Sequence, residues 1–386
     1  MKTIGIDARF YGAESRGLGK YTTMLLKYLE ELDDKNRYLV YLREQNFDEY
    51  LPRKSNFIKQ KADVPWYSLK EQIAMPLILN KRKIDLMHFP HFNIPLFYRG
   101  PFMVTIHDLI LMEHPTIKAT TLGPLKYNLK KIGYKTIFKK AVTSSQAIIA
   151  VSNFTKQDII KHFPQTKLKI KVIYEGCEND KNALRLKSKR KSVVTKLQLG
   201  QYGINKPYLL YIGAAYPHKN LESLVLAFEK IKRDKQWRKL SLVLVGGDDY
   251  FYKRLKSFTK RKGIKNVIFP GLIREEKTLQ EIYRNAEIFV FPSLYEGFGL
   301  PPLEAMTMGV PVVCSKATSL PEILARAASY FNPKDVRDIT NKILRILENS
   351  SLKRDLVEEG YKRIELFSWQ KMAQQTLEIY NRILKN

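Results

Sequence analysis

Short apolar runs alternate with amphipathic segments along almost the whole chain. In the first half, the apolar runs predict strands at 2–7, 38–42, 84–89, 102–108, 147–152 and 171–176. The second half repeats this rhythm, with predicted strands at 208–213, 240–247, 266–271, 287–293 and 310–315. Between several of these runs the apolar residues recur at helical spacing, as in 19–32 and 153–163. Apolar strands that alternate with helices predict parallel sheets covered on both faces.

Two such series predict two doubly wound α/β domains. The polar segment 177–207 separates the series and has the composition of a linker. We therefore place the first domain at 1–178 and the second at 179–368, with a further helix at 369–386. A length of 386 residues agrees with two domains of ordinary size.

The composition narrows the class of protein. With 44% hydrophobic and 11% aromatic residues the chain can build full cores, which argues against wholesale disorder. Cys177 and Cys314 are the only cysteines, which favours a reducing compartment over a disulfide framework. The first ten residues resemble a strand rather than a signal peptide, and no apolar run reaches the ~20 residues of a membrane span. The sequence predicts a cytoplasmic protein.

The net charge of +29 is the most unusual bulk feature. Residues 115–200 contribute much of it, with 19 Lys and Arg against 4 Asp and Glu. A field of this sign attracts nucleic acid, anionic lipid or phosphorylated small molecules, and charge alone does not choose among them. The segment 124–142 spreads its lysines around most of a helix: Lys126, Lys130, Lys131, Lys135, Lys139 and Lys140. Such a helix either lies peripherally on an anionic membrane or is a solvated basic face.

Ligands of doubly wound sheets bind beyond the carboxyl ends of the strands, so the residues there are the candidates for a site. After the first strand, Gly17 and Gly19 lie in a loop that opens a helix. They either let a phosphate approach the backbone or form a plain strand–helix turn. His107, at the end of the strand 102–108, is either a sugar or phosphate contact or a hydrogen-bonded core histidine. No two histidines have the spacing of a helical zinc site, so no metal is expected.

In the second series, Lys219 and Asn220 follow the first strand and come just before a helix. A lysine at the mouth of a strand–helix loop suits a diphosphate, because a compact point charge is enough there. A solvated surface lysine is the alternative. The segment therefore favours a phosphate contact but leaves the solvated lysine open.

The most distinctive segment is SLYEGFGLPPLEAMTMGVPVV at 293–313, where Glu296 and Glu304 flank a glycine-rich turn and a proline pair. A helix that only covered a core would avoid glycine and tandem proline there. A helix starting at Pro302 places Glu304 in its first turn, where a carboxylate stabilises the helix by ~0.3–1 kcal/mol. This effect does not account for Glu296 or the glycines. The loop between them offers backbone N–H donors to an anionic or hydroxyl-rich ligand.

This segment resembles the E-x7-E signature of retaining glycosyltransferases, in particular glycosyltransferase family 4 with its GT-B fold. The resemblance extends to GLGKYT, VTIHDL, AVSNFTKQDI, YPHKNLESLVLAF, SLPEIL and YFNP, and so covers most of the chain. It implies two Rossmann-like domains facing each other across a cleft. The first would bind the acceptor and the second the nucleotide sugar, with the helix 369–386 packing back on the first domain.

The resemblance also implies roles for the segment's own residues. Glu304 would bind the ribose of the donor nucleotide, and Glu296 would lie beside the donor sugar. The backbone amides between them would hold sugar and phosphate: Gly297, Phe298, Gly299 and Leu300.

Outside this segment the resemblance implies that His107 contacts the donor sugar and that Lys219 neutralises the diphosphate. Gly17 and Gly19 would line the cleft beside it. One position departs from the family, in which an arginine usually follows the glycine of YIG; this chain has Ala214 there. His218 or another basic residue would have to supply that charge.

The sequence therefore predicts a hexosyltransferase that acts on a nucleotide diphosphate sugar with retention of configuration. No D-x-D segment occurs, so neither a metal nor another cofactor is expected. The PHKN loop and the segment 66–79 resemble bacterial mannosyltransferases, which favours GDP-mannose, with a UDP-hexose as the alternative. The acceptor would be a glycan or a lipid-linked saccharide, the latter reached by peripheral binding at the inner face of the cytoplasmic membrane.

Two other classes of function stay open. A GT-B protein can also isomerise or phosphorolyse sugars, or only bind them. A nucleic-acid-binding protein would explain the charge but leaves Glu296 and Glu304 unexplained, so we expect no nucleic-acid partner.

Overall fold

A computed structural model describes residues 1–12, 16–113, 124–177 and 199–385, without the side chains of 16 and 124–130. The chain divides into two compact units. The first unit is Met1–Gly176 with Ser368–Asn386, and the second is Cys177–Phe367. The boundary that the sequence suggested, between 178 and 179, lies outside the described residues.

The first unit is built on a parallel sheet. Its strands are β1 (Thr3–Asp7), β2 (Arg37–Leu42), β3 (Phe57–Lys61), β4 (Leu86–Phe89), β5 (Phe102–Ile106), β6 (Ile148–Ala150) and β7 (Ile170–Val172). The seven strands lie in the order β3-β2-β1-β4-β5-β6-β7, and each adjacent pair is parallel. The order reverses between β1 and β4, so their carboxyl ends form the topological switch point of this sheet.

Helices cover the faces of this sheet. They are α1 (Arg16–Leu32), α2 (Glu44–Phe47), α3 (Leu69–Leu79), α4 (Ile110–Glu113), α5 (Pro124–Ser144) and α6 (Asn153–His162). The second unit follows with α7 (Leu221–Ile231), α8 (Tyr250–Arg261), α9 (Glu276–Arg284), α10 (Leu300–Thr307), α11 (Leu320–Leu324), α12 (Val336–Glu348) and α13 (Ser350–Ile364). The last helix, α14 (Trp369–Lys385), belongs to the first unit.

Buried polar contacts tie α14 into the first unit, where it packs against α1 and β4. The Tyr380 hydroxyl lies 2.6 Å from Nδ1 of His88, whose Nε2 is 2.9 Å from the Thr105 hydroxyl. Burial, with a smaller effect of His107, lowers the pKa of His88 to about 3. A neutral imidazole therefore bridges the two hydroxyls at pH 7.

The second unit repeats the architecture. Its strands are β8 (Tyr208–Ile212), β9 (Ser241–Val245), β10 (Val267–Gly271), β11 (Ile288–Phe291), β12 (Val312–Ser315) and β13 (Ala328–Phe331). They lie in the order β10-β9-β8-β11-β12-β13, and all pairs are parallel. Counted from β8, this is the Rossmann order 3-2-1-4-5-6, with the switch point between β8 and β11.

The apolar pattern predicted most of this correctly, and the two doubly wound parallel sheets are confirmed. The pattern missed β3 and β13, which are edge strands of the two sheets. An edge strand is covered less completely, so its sequence need not be continuously apolar. In β3, FIKQK, only Phe57 is fully buried.

The basic helix α5 is only partly a solvated face. Among the described side chains of α5, those buried in the core are Tyr134, Phe138, Ala141 and Val142. Lys140 is not available to a surface, because its Nζ donates to the carbonyls of Leu96 and of Tyr98, the latter at 2.9 Å. The side chains of Lys126 and Lys130 lie outside the described residues. Lys131, Lys135 and Lys139 are partly or fully exposed.

Candidate functional site

The carboxyl edge of the second sheet brings Lys219 and Glu296 together. Lys219 ends a single 3-10 turn after β8, and Glu296 lies in the loop after β11. Because β8 and β11 are neighbours at the switch point, these loops meet, and Lys219 Nζ lies 2.6 Å from Glu296 Oε1. The two side chains are only 18% and 13% exposed. The pair is therefore a partly desolvated charge pair where this fold binds its ligands.

Asn220 fixes the turn that carries Lys219. Its φ of 58° lies in the left-handed region, which asparagine tolerates better than most residues. Its side-chain amide donates to the carbonyls of Pro292, at 3.2 Å, and Pro333, at 2.7 Å. Its amide oxygen accepts from the Ser223 hydroxyl at 2.7 Å. The position of Lys219 is thus set by three segments of the second unit, and a surface lysine on a free loop is excluded.

The loop after β11 is held from the turn that precedes α11. The amide of Glu296 donates to the Thr318 hydroxyl at 3.0 Å. The buried Ser319 hydroxyl is 3.0 Å from the carbonyl of Glu296 and 3.1 Å from that of Phe298. These bonds fix the direction of the backbone between Glu296 and Gly299. A fixed backbone is what preorganised binding through amide groups requires.

Gly299 precedes the first residue of α10, which begins earlier than the sequence predicted. The position of Glu304 in the helix is therefore different from the predicted one. The φ of 107° at Gly299 is a conformation that side chains rarely adopt, and a Cβ there would lie 2.8 Å from Leu320. The helix begins at Leu300, before the two prolines, so Glu304 lies in its second turn and not in its first. Stabilisation of the helix N-terminus therefore does not explain Glu304.

Glu304 instead faces α9. The Tyr283 hydroxyl donates to Glu304 Oε2 at 3.1 Å. Burial, together with this carboxylate, raises the pKa of Tyr283 well above its usual value, so the phenol stays a neutral donor. Phe298 and Leu300, in contrast, are buried in the core of the second unit. Their contribution to a ligand would come from backbone atoms, as predicted for the whole segment.

Ala214 is buried, and its carbonyl accepts from the Tyr211 hydroxyl at 2.7 Å. It brings no charge to this edge of the sheet. The imidazole of His218 stacks on Tyr216, with 5.7 Å between the ring centroids. Whether His218 supplies the charge that family members take from arginine stays a prediction.

In the first unit, both ring nitrogens of His107 are engaged. Nδ1 lies 2.8 Å from Glu175 Oε1, and Nε2 lies 2.9 Å from the carbonyl of Pro90. A carbonyl can only accept, so Nε2 carries a proton. Nδ1 faces a carboxylate oxygen of Glu175, so a partner on each ring nitrogen fixes the orientation of the imidazole.

Glu175 is a residue that the sequence analysis missed. It is the third residue after β7 and is buried, and it lies 68 positions from His107 in the chain. An acidic residue at a strand's carboxyl end was the available signal, since those ends are where ligand-binding residues gather in this fold. His107 also contacts Tyr21 of α1 edge to face, with ring centroids 4.8 Å apart.

Gly17 and Gly19 have different surroundings. Both lie in the first turn of α1, which begins at Arg16, rather than in the loop before it. A Cβ at Gly19 would lie 1.9 Å from the carbonyl oxygen of Gly12, so only glycine permits this approach of Gly12 to the helix. Among the described residues, no atom lies within 4 Å of a Cβ placed at Gly17. Gly19 is therefore explained by packing, whereas the ligand contact of Gly17 stays a prediction. Gly17 also lies one helical turn before Tyr21.

A second buried cluster occupies the switch point of the first sheet. Arg9 pairs through Nε and Nη2 with both carboxylate oxygens of Asp7, at 2.8 and 2.7 Å. Its Nη2 also lies 2.6 Å from Glu71 Oε1, which accepts from the Asn93 amide at 2.8 Å. Burial alone would lower the pKa of Arg9, but Asp7 and Glu71 outweigh it and raise that pKa. The cluster fixes the start of α3 against the end of β1.

Within the described ranges, no group of three or more His, Cys, Asp and Glu side chains could hold a metal ion. In the same part of the chain, no helix is both long enough and apolar enough to cross a bilayer.

Two family models match this chain. The model of Glycosyltransferase Family 4 matches residues 15–181, and the model of Glycosyl transferases group 1 matches residues 196–363. The chain therefore consists of a glycosyltransferase family 4 domain followed by a glycosyl transferases group 1 domain. The enzyme class predicted from the E-x7-E segment is thereby confirmed.

Relatives match this glycosyltransferase over most of its length. It is 28% identical to O-antigen chain mannosyltransferase B of Escherichia coli, over 94% of this chain and 95% of the relative. It is 25% identical to O-antigen chain mannosyltransferase RfbU of Salmonella typhimurium, over 87% and 88% of the two chains. Sucrose-phosphate synthase from Thermosynechococcus elongatus matches with a TM-score of 0.77 and 19% identity, over 100% of both chains. The glycosyltransferase therefore has the GT-B fold, as predicted.

Proposed function

We propose that the enzyme transfers mannose from GDP-mannose, with retention of configuration, to a glycan or a lipid-linked saccharide. The names of the two bacterial relatives, both O-antigen chain mannosyltransferases, support a hexose donor and a polysaccharide product. A UDP-hexose is the alternative donor. The reaction would proceed without a metal or another cofactor.

The observation that carries this proposal is the Lys219–Glu296 pair at the switch point of the second sheet. An ammonium group has three N–H donors, and Glu296 engages one of them. The remaining donors are oriented by that contact and can bind diphosphate oxygens. Negative charge grows on the departing nucleoside diphosphate, so a fixed positive group stabilises the transition state more than the ground state. Glu296 itself would lie beside the donor sugar.

Glu304 and His107 complete the proposed roles. Glu304 would accept hydrogen bonds from the ribose hydroxyls while Tyr283 holds the carboxylate in place. His107 would contact the donor sugar, and the backbone of 297–300, with Gly17, would lie against sugar and phosphate. Gly19 serves this arrangement by permitting the close approach of Gly12 to α1.

The test of the whole proposal is a panel of radiolabelled nucleotide sugars, with hydrolysis or transfer of the sugar measured for each. Turnover of GDP-mannose above all others is the expected result. Turnover of a UDP-hexose alone would mean that the donor is a UDP-hexose, and the proposed glycosyl transfer would stand. If no nucleotide sugar is turned over and product analysis finds phosphorolysis or isomerisation instead, the proposed reaction is wrong.

We expect Glu304→Ala to weaken nucleotide binding by about 1.5–3 kcal/mol, because the hydrogen bonds lost involve a charged acceptor. Stability should change much less, since Glu304 is partly exposed. Calorimetric titration with GDP and with UDP measures the effect. Tyr283→Phe is the matched control: it removes the hydroxyl that holds Glu304 and should cost less affinity than losing the carboxylate. Unchanged affinity for both nucleotides in Glu304→Ala would contradict the assigned role.

We expect His107→Ala to reduce transfer while leaving the affinity for free nucleotide nearly intact, because the proposed contact is to the sugar. Glu175→Gln keeps the shape of the pair but removes the carboxylate that orients the ring through Nδ1. Turnover in Glu175→Gln should fall about 10- to 100-fold, because a hydrogen bond to a charged group is lost. Steady-state turnover and nucleotide titration measure the two effects separately.

Tyr21→Phe is the control for this pair, since it keeps the ring against His107 and loses only the hydroxyl, which bonds to Thr105 at 3.1 Å and to Thr376. It should retain turnover. Loss of fold in His107→Ala, together with full turnover in Glu175→Gln, would mean that His107 is a structural core histidine.

The proposed location is the cytoplasm, with peripheral binding at the inner face of the cytoplasmic membrane. A lipid-linked acceptor would require such binding, and the positive charge of the chain favours an anionic surface. Among the described side chains of α5, the lysines that could reach such a surface are Lys131, Lys135 and Lys139, because Lys140 is bonded to backbone carbonyls. Lysines alone are a weak attachment without an apolar contact.

A further inference from the structure

An apolar stripe lies on the outer face of α3. Leu69, Ile73 and Leu77 recur at every fourth position and are 87%, 65% and 63% exposed. The opposite face of the helix is buried through Glu71, Met75, Pro76 and Leu79. A helix that is apolar on both faces is normally covered on both. In the first unit, taken by itself, the α3 stripe faces outward.

A fourth exposed apolar side chain is held beside this stripe. Phe97 is 65% exposed, in the loop between β4 and β5. The amide of the preceding Leu96 donates to Gln72 of α3 at 2.7 Å. Lys140 of α5 donates to the carbonyls of Leu96 and Tyr98, on both sides of Phe97. Hydrogen bonds to α3 and α5 therefore hold this loop in place, while the ring of Phe97 stays exposed to solvent.

Basic residues stand at both ends of the α3 stripe. Lys70 follows its first member, and the exposed Lys81, Arg82 and Lys83, here called the KRK turn, follow the end of the helix. Between residues 64 and 84 the sequence has one acidic residue, Glu71, and it is buried. Large aliphatic side chains between basic residues are the pattern of a helix lying in the interface of an anionic bilayer.

We propose that the α3 stripe, Phe97 and the KRK turn form the surface through which this enzyme binds an anionic lipid bilayer. The aliphatic side chains and Phe97 enter the boundary between headgroups and acyl chains. The basic residues bind the lipid phosphates. A second copy of the chain fits this surface less well, because pairing it with itself would place the basic ends of two copies together.

The position of α3 shows how this surface would serve the enzyme: it would bring the bilayer close to the ligand-binding edge of the first sheet. This inference rests on the proposed lipid-linked acceptor. The N-terminal turn of α3 is fixed at the carboxyl edge of the first sheet, because Glu71 bonds to Arg9 and Asn93 there. Leu69, the most exposed member of the stripe, is the first residue of the same helix. A bilayer bound to the stripe would therefore lie next to the carboxyl ends of the strands, where ligands of this fold bind.

The test is co-sedimentation of the purified full chain with vesicles at low ionic strength. One set contains equal parts of phosphatidylglycerol and phosphatidylcholine, and the other contains phosphatidylcholine alone. We expect binding to the anionic vesicles, reversal by salt and little binding to the neutral ones. The variant L69Q/I73Q/L77Q should bind at least about tenfold more weakly, because it removes the apolar insertion. The variant K81Q/R82Q/K83Q should lose roughly ten- to hundredfold at low salt.

The chain offers matched controls for both variants. Lys260, Arg261 and Lys262 form the same tripeptide at the end of α8 in the second unit and are exposed. K260Q/R261Q/K262Q removes the same charge and should change binding less than about twofold, since that turn has no apolar stripe beside it. For the stripe, L168Q/L272Q/L366Q replaces three other exposed leucines. Equal losses in the controls and in the α3 variants would overturn the placement of the surface.

Two further results would overturn the proposal: no binding of the wild-type chain to anionic vesicles, or a dimer by light scattering that L69Q/I73Q/L77Q converts to monomer while vesicle binding persists. Hydrolysis of the nucleotide sugar in solution, without acceptor or lipid, is measured in parallel and should be equal in wild type and the α3 variants. Lost vesicle binding with intact hydrolysis is therefore a result about the surface. Vesicle binding without turnover of any nucleotide sugar is a failure of the proposed function and leaves the surface in place.

Discussion

Replacing Arg9 by methionine is expected to destabilise the first unit by about 3–5 kcal/mol, the usual cost of removing one partner from a buried ion pair. Arg9 is fully buried between the carboxylates of Asp7 and Glu71. Methionine fills much of the volume but leaves two buried carboxylates without their cation. The expected loss is therefore electrostatic rather than a loss of packing.

Hydrogen exchange of the amides in β1 and β4, compared with those in β8 and β11, measures this loss without assuming that the two units unfold together. The control is Arg233→Met, which breaks an exposed contact of 3.6 Å to Glu229 and should change stability by less than about 0.5 kcal/mol. An exchange pattern equal to that of wild type would show that the cluster contributes little.

Replacing Lys219 by methionine is expected to reduce turnover by about 10²–10³-fold, which is the range for one preorganised donor to developing negative charge. The reason is the proposed role of Lys219 at the leaving diphosphate. The measurement is kcat with saturating nucleotide sugar, together with calorimetric binding of the free nucleoside diphosphate. The reduction in kcat should exceed the reduction in affinity, because the interaction strengthens as charge develops.

Two variants separate this role from a structural one. Lys316→Met removes an exposed lysine that follows β12 at the same edge of the sheet, and turnover should stay at the wild-type value. Lys219→Met also leaves Glu296 without its partner, and Lys219→Met/Glu296→Gln removes that unpaired charge. Because Glu296 would itself lie beside the donor sugar, the affinity for free nucleoside diphosphate is the measurement for the double variant. If that affinity returns to the wild-type value, Lys219 only neutralises Glu296 and the proposed contact to diphosphate is wrong.

The outline of the fold and part of the site were predictable from local sequence. Continuous apolar runs marked the central strands, because strands covered on both faces must be apolar on both. The segment 293–313 marked one edge of the second sheet, because glycine and tandem proline there have no role in a covering helix. Even so, the start of α10 was misplaced, since it depends on the left-handed conformation of Gly299.

Other features depend on which strands and helices become neighbours, and the local pattern carries no information about that. Lys219 meets Glu296 across 77 positions because β8 lies beside β11. His107 meets Glu175 across 68 positions and Arg9 meets Glu71 across 62. The α3 stripe is the same kind of case: a helix that is apolar on both faces does not reveal in its sequence which face is buried. The sequence determined which residues share an element and a face, since that follows from the period of the backbone. Only the tertiary structure decided what each face and each strand end meets, because sheet order and helix packing join residues far apart in the chain.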